Sequence, residues 1–515
     1  MFLSIKNFCR GPYSLIAPNG EIKRFSTGVK EKWLPGKQDD TTAAGTTLVG
    51  IIDFLNRTLA GLTPRGVPMY FFHPLNPSYP PCVVSAKTNP RQNMLASVTI
   101  EHWNDKWPRG GIQKIHGPVG DREVEKAALI RSCVPSVKSA LPTSDLCPAV
   151  GAATAVGSER WKAVFNIDPA GCLDVDDVFC LGVDGSLGIG IANVAAWTGS
   201  GAFDDFARAL GQTLYVDGGA VVPMLPRELS ENFASLRCDG VAKPMCVAIW
   251  KPGCAEPVWE IQMLQVSRSY SYESVVGTAD FAEVVRLLGA VKGLSAVDLE
   301  DSHKVVEYGM VLYNAAAAKM LRTAGKGILR SHGGITNTEL VALAEKSGIA
   351  ELVHLGSSAG KYVRADAENV HHNGLGLDVY CHVTSPLRRY ADLVNQRILI
   401  QLITGCTEVA IDDEDMGYLC NHLNWRSSIA KQLDRDLYFL QNLRTDSLTS
   451  VSGVVVAVKE GGCKVYVPAW KRKVKAVCGG GVDVGQMVML RAHTNLRAVD
   501  WYERLVCVVE PGVTV

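Results

Sequence analysis

The spacing of apolar positions changes twice along the chain. From Thr47 to Ile100 apolar residues come in short runs, Thr47–Ile52, Val67–Phe72 and Met94–Ile100, separated by turn residues. Short β-rich runs at this spacing predict a small barrel of the OB or cold-shock type, and 46–142 has the length for one. Between about 143 and 446 the pattern alternates. Strand-like runs and turns extend to about Met263, and helical periodicity follows, so a mixed α/β domain is expected. From Ser447 short runs return, at Gly453–Val458, Lys464–Val467 and Met487–Leu490, with Gly461-Gly462 and Gly479-Gly480-Gly481 between them. A second five-stranded barrel is expected over 447–515. The predicted fold class is α+β multidomain, a central mixed α/β domain between an N-terminal and a C-terminal β-barrel. Residues 1–45 read as a tail ending in a polar, small-residue linker, Lys37–Gly45. No repeat of solenoid period occurs.

A length of 515 residues suits about three domains. Composition excludes overall disorder, with 47% hydrophobic and 20% charged residues. Lysine plus arginine balances aspartate plus glutamate at 52 each, which neither supports nor excludes nucleic acid, because a polyanion needs only a locally basic groove. The 15 cysteines show no C-x-x-C pair or zinc spacing, so reduced thiols in an intracellular compartment are expected. No apolar run reaches the roughly 18 to 20 residues of a bilayer span, and no membrane partner is expected. Residues 1–20 hold Lys6 and Arg10 among Phe2, Leu3, Ile5 and Phe8, with no acid before Glu21. That composition suits a mitochondrial presequence; the alternative is a frayed tail on a cytoplasmic protein.

The richest chemistry lies in Asn166–Asp177. Asp168, Asp174, Asp176 and Asp177 fall within ten residues, between the apolar Phe165 and Ile167 and the apolar Val178, Phe179 and Cys180. Carboxylates drawn into apolar surroundings repel one another and persist when protonated or compensated by a cation. Mg²⁺ takes such hard oxygen ligands, and Mn²⁺ can substitute. The alternatives are a solvated acidic turn or a Ca²⁺ loop, but the segment lacks the alternating ligands and closing glutamate of an EF-hand.

A second constellation is Tyr380–Arg397. Thr384-Ser385-Pro386 reads as a helix start, Leu387, Tyr390, Ala391, Val394, Ile398 and Leu402 repeat with helical period, and Gly405 ends the run. Arg388 and Arg389 would then sit in the first turn, where a cation is disfavoured unless an anion lies nearby. A phosphate fits there; equally, Asp392 could pair with one arginine at helical spacing.

Together these segments resemble the ribonuclease II (RNB) family. Further blocks agree in order over some 230 residues: Tyr215–Ser230 with its Pro-Met-Leu-Pro core, Ser271–Val275, Val306–Met310 with Asn314, and Arg330-Ser331-His332. The resemblance implies a metal-dependent 3′→5′ exoribonuclease that releases nucleoside 5′-monophosphates from single-stranded RNA. Asp168, Asp174, Asp176 and Asp177 would hold Mg²⁺, or Mn²⁺, and Arg388 would stabilise charge on the phosphate. Tyr215 and Tyr272 would stack on terminal nucleotides or pack in the core. Arg389 would contact RNA, and Glu307 and Asn314 would line the deep end of an RNA channel entered between the barrels. Trp107–Glu125 is similar to the end of the family's second cold-shock domain. The C-terminal barrel resembles its closing OB domain, with nine lysines and arginines against five acids from Val451 on. An RNA helicase or RNA-processing complex would be the partner.

The chain also departs from the family. One N-terminal barrel is visible where two are usual, and no endonuclease domain is seen. Gly190, Asn193 and Gln396 stand where the resemblance leads one to expect histidine, an acid and histidine. These changes leave the metal set and Arg388 intact but bear on RNA grip and processivity. The alternatives are a nuclease-derived RNA-binding scaffold and a hydrolase of small phosphate esters.

Overall fold

The computed structural model describes residues 4–6, 13–16, 22–25, 47–56, 60–76, 79–102, 107–135, 155–156, 158–197, 202–216, 219–291, 301–405, 413–442, 449–459, 461–479, 481–500 and 503–514. The linker-like 37–45, most of the presequence-like segment and the expected domain borders at 142/143 and 446/447 lie outside them. The chain divides into two compact units. One comprises Met1–Ser136, Glu339–Val353 and Ala430–Val515, and the other Val137–Thr338 and His354–Ile429.

In the first unit, Thr47–Ile52 pairs with both Met94–His102 and Pro68–Pro74, which closes the N-terminal sheet on itself. Leu48, Ile52, Phe72, Val84, Ala96 and Val98 fill the interior. Thr449–Lys459, Gly462–Val467, Arg472–Val477, Leu505–Thr514 and Met487–Thr494 form a closed five-stranded barrel, as the short runs predict. The two barrels share packing: Val49, Ile51, Leu95 and Ala128 of the first bury against Val499 of the second. Beside that contact Arg504 donates to Glu125 at 2.6 Å, with both side chains at most 5% exposed. Where a tail is expected, Ser4–Lys6, Tyr13–Ile16 and Ile22–Phe25 pair as three short antiparallel strands.

The second unit is built on a sheet whose central strands are β1 (Trp161–Asp168), β2 (Asp177–Gly182), β3 (Leu187–Ala192), β4 (Ala242–Trp250), β5 (Val258–Gln265) and β6 (Arg268–Ser271). Ala155–Val156 adds a seventh strand, giving the order 155–156, β5, β4, β3, β2, β1, β6. The Asp-rich segment is thus the β1–β2 connection. Strand β3 is buried throughout, and its glycines are steric requirements. A Cβ on Gly188 would stand 2.6 Å from Trp161, and one on Gly190 would stand 3.0 Å from Val178 and 3.2 Å from Met245. Gly190 therefore leaves no room for the histidine the resemblance leads one to expect. Helix α1 (Ser302–Ala324) crosses the sheet so closely that a Cβ on Gly309 would lie 2.9 Å from Phe179. After α1 come β7 (Ile328–Ser331), β8 (Lys361–Arg364) and helix α2 (Tyr390–Thr404).

The start of α2 corrects the sequence reading. The regular helix begins at Tyr390, not at Pro386, because Thr213 N–H bonds Arg388 C=O and Tyr390 N–H bonds Gly211 C=O, each at 2.9 Å. These pairings hold Arg389 extended (φ −132°, ψ 125°) and so separate α2 from a single turn in which Arg388 and Arg389 N–H bond Ser385 C=O at 3.3 and 3.0 Å. The expected end holds: Gly405 closes α2 at φ 67°, the left-handed conformation glycine tolerates.

Candidate active site

Asp168 ends β1 and Asp177 opens β2, so sheet geometry fixes the two outer carboxylates, while Asp174 and Asp176 ride on the loop between them. That loop is tied down by its neighbours. Val175 N–H bonds Ser235 Oγ at 3.0 Å, Leu236 N–H bonds Val175 C=O at 2.9 Å, and Ser235 Oγ–H bonds Leu173 C=O at 2.6 Å.

Asp176 is 3% exposed and held from two sides by the turn before α2. Leu387 N–H donates to its Oδ1 at 2.9 Å, and Arg388 Nε donates to its Oδ2 at 3.2 Å. Arg388 is braced in turn by Ser385 Oγ at 3.0 Å. The two segments singled out in the sequence, 211 residues apart, therefore meet. Asp174 accepts hydrogen bonds from the Tyr215 hydroxyl and, at 3.6 Å, from the Cys172 thiol.

Burial sets the electrostatics. It pushes Asp168 up to about 6 and Asp176 up to about 7, with Arg388 opposing the shift at both. Burial and the charges of Asp168 and Asp176 push Asp177 well above the carboxylate range. Asp168 Oδ2 is buried with no hydrogen-bond partner. Such a set lacks positive charge, and a hard divalent cation is the group whose chemistry fits it. Among the described residues no three His, Cys, Asp or Glu side chains converge on one point as they stand, so gripping an ion requires rotamer changes.

Tyr272 begins a one-turn helix capped by Ser271, whose Oγ accepts from Ser274 N–H at 3.1 Å. Burial and the charges of Asp177 and Asp168 push its hydroxyl up to about 12. One ring face is covered by His303, with centroids 3.9 Å apart and planes 9° apart. His303 was not legible in the sequence, because its partner lies 31 residues earlier and no motif marks it.

Three residues expected at RNA have partners within the chain. Arg389 Nη2 donates to Asp392 Oδ1 at 2.7 Å, and Asp392 is wholly buried and also accepts from Ser385 N–H at 2.8 Å. Arg389 thus takes the helical-spacing alternative. Asn314, 2% exposed, donates to Tyr380 Oη at 3.1 Å and Thr384 Oγ1 at 3.2 Å and accepts from Val383 N–H at 2.9 Å. It pins the segment leading to Arg388. Glu307 lies on an exposed face of α1, paired with Lys304 at 2.8 Å.

The departures have local explanations. Gln396, fully buried, donates to Ala192 C=O at 2.7 Å and accepts from Ala195 N–H at 3.1 Å, while Ala192 N–H bonds Asp176 C=O at 2.9 Å. A neutral side chain with one donor and one acceptor end thus joins α2, the end of β3 and Asp176. Asn193 Oδ1 caps the following turn by accepting from Ala196 N–H at 3.1 Å.

Residues 159–250 and 277–405 match the RNB domain, and 69–133 match the Dis3-like cold-shock domain 2. The human exosome complex exonuclease RRP44 is 23% identical over 474 residues, covering 72% of this chain and 49% of that protein. The chain therefore spans about half the length of this relative. Among solved structures, Mycoplasma genitalium RNase R in complex with ribose methylated single-stranded RNA superposes at a TM-score of 0.69. The identity is 14%, over 98% of this chain and 99% of that one. Yeast Ssd1, described as a pseudonuclease, superposes at 0.64 with 16% identity, over 88% and 67% of the two chains.

Proposed function

The chain belongs to the RNB-domain family of ribonuclease II-type exoribonucleases, and from that premise we propose that it hydrolyses single-stranded RNA from the 3′ end to nucleoside 5′-monophosphates. The observation that carries this reading is the meeting of Arg388 with Asp176 inside a cluster of under-compensated carboxylates. Asp168, Asp174, Asp176 and Asp177 would hold Mg²⁺, with Mn²⁺ as a substitute. A bound divalent ion supplies a more acidic water and a polarised phosphodiester.

The chain's own residues do the rest. Arg388, braced by Ser385, presents a guanidinium to the charge that develops on the phosphate oxygens. Tyr215 keeps one Asp174 oxygen turned toward its hydroxyl. The Tyr272–His303 pair offers an aromatic surface beside the carboxylates, on which a terminal base can stack without sequence preference. A mitochondrial location and a helicase or processing-complex partner belong to the same proposal.

The likeness to Ssd1 motivates a second reading, an RNA-binding scaffold that does not cleave. A scaffold has no use for the four aspartates or for Arg388 on Asp176, so hydrolysis is the stronger reading. Chromatography of the products from uniformly labelled RNA separates the two. Nucleoside 5′-monophosphates are expected; intact, bound RNA would favour the scaffold, and 3′-monophosphates would overturn the mechanism.

A further inference from the structure

Behind the turn that carries Arg388 lies a second cationic constellation that the reaction does not use. Arg330, on β7, is half-buried, and its guanidinium lies 4.6 Å from the centroid of the Tyr362 ring on β8. Among the described residues it makes no ion pair and no side-chain hydrogen bond, and the charge of Asp392, already matched to Arg389, acts on it only from farther off. Its neighbours sharpen the imbalance. Arg389 is already matched to Asp392 and Arg388 to Asp176, and the charges of Arg389 and Arg330 reinforce burial in holding His382 neutral. One guanidinium with five N–H donors is left over.

The backbone around it is shaped for close approach. The Arg330 guanidinium packs against Gly360, where a Cβ would stand 2.9 Å from Nε and 3.0 Å from Nη2 and would push the side chain aside. Two buried polar atoms in the loops that flank it lack partners, His372 Nδ1 and Ser358 Oγ. The loops are joined: His332 N–H bonds His371 C=O at 2.9 Å, and Ser358 N–H bonds Gly334 C=O at 2.8 Å. The His332 and His372 rings lie 5.3 Å apart, and Arg330 acts on His372 electrostatically. A forked cation, a hydroxyl and an imidazole nitrogen, all unsatisfied, are the donor set that binds a tetrahedral oxyanion.

We propose that Arg330, with His372 and Ser358, forms a phosphate subsite distinct from the carboxylate cluster. It takes one phosphate group, either of the RNA backbone or of a free mononucleotide. The inference rests on the RNA-hydrolase reading for its ligand, and its test is separable from that reading.

Binding of 5′-labelled single-stranded RNA by the full chain is measured in EDTA against rising KCl, beside Arg330→Gln and Arg330→Lys. In parallel, the thermal midpoint is followed with inorganic phosphate and with AMP at constant ionic strength. For a backbone phosphate, Arg330→Gln should weaken RNA binding about tenfold and flatten the log–log salt slope by roughly 0.7, with Arg330→Lys intermediate. Unchanged RNA binding with loss of the phosphate and AMP stabilisation assigns the subsite to free mononucleotide. If both are unchanged in Arg330→Gln, the inference is overturned. Should Arg330→Gln fail to fold, Arg330→Lys and the native response to phosphate decide it. If the native chain binds no RNA, the hydrolase reading fails on its own, and the phosphate and AMP arms still decide the subsite.

Discussion

Asp176 is the most constrained residue of the site, held by a backbone N–H, a guanidinium and its own carbonyl's bond to Ala192. Arg388 is the one partner that could also reach a substrate phosphate, and a lysine's compact ammonium lacks the separated Nε and Nη2 donors that meet Asp176 and Ser385. Arg388→Lys should lower kcat by about 10²–10³ with a smaller effect on KM, read from steady-state kinetics on a short RNA. The carboxylates also set a pH dependence. Asp168 and Asp176 titrate at about 6 and about 7, above the ordinary 3.8, so the folded state binds protons that the unfolded chain has released. Their contribution to stability is complete below pH 3.8 and is lost as pH rises through about 6 to 7. In EDTA the thermal midpoint should therefore fall across that window. Asp177→Asn, which removes a charge from the same cluster, should raise the midpoint at pH 8 by about 2–4 °C while abolishing hydrolysis. A flat midpoint between pH 4 and 8 would contradict this electrostatic account. The aspartates were legible because they are neighbours in sequence within an apolar frame. The pairing of Arg389 with Asp392 was legible as the helical-spacing alternative; the engagement of Asn314 and Tyr272 was not, since Tyr380, Thr384 and His303 are chosen by tertiary packing.

At the scale of elements, α2 shows where periodicity misleads. The apolar repeat from Leu387 onward is helical in pattern, yet regular helix starts at Tyr390 because 211–213 captures the preceding backbone. That separate turn is what aims Leu387 N–H and Arg388 at Asp176. The strand glycines tell the converse story: Gly188 and Gly190 look like weak points of a β-run until the cross-strand contacts show a Cβ colliding at Gly188 and crowded by Val178 and Met245 at Gly190. Gln396 binds these elements together. Gln396→Leu leaves Ala192 C=O and Ala195 N–H without their partner and should cost about 2–3 kcal/mol in urea unfolding. It should also lower kcat, because Ala192, whose N–H bonds Asp176 C=O, loses its tie to α2. Unchanged stability and kcat would show that β3 needs no tie to α2.

For the whole molecule, both barrels lie where the short apolar runs place them. The three strands within residues 4–25 were not legible, since runs of three or four residues carry no measurable period. Nor was the grouping of both barrels into one unit, which depends on residues 379 positions apart. Glu125 and Arg504 are an ion pair removed from water, so truncating one partner leaves an uncompensated charge. Glu125→Ala should destabilise by about 3–5 kcal/mol, whereas exchanging both residues for apolar ones of similar volume should cost far less. A double-mutant cycle in urea checks both.

The most direct test of the central claim is a gel assay on 5′-labelled single-stranded RNA with Mg²⁺, comparing the native chain with Asp176→Asn. A ladder or short end product that requires the metal and vanishes in the variant is expected. Intact RNA shifted by the native protein, with the same shift in the variant, would contradict hydrolysis and make RNA binding without cleavage the function.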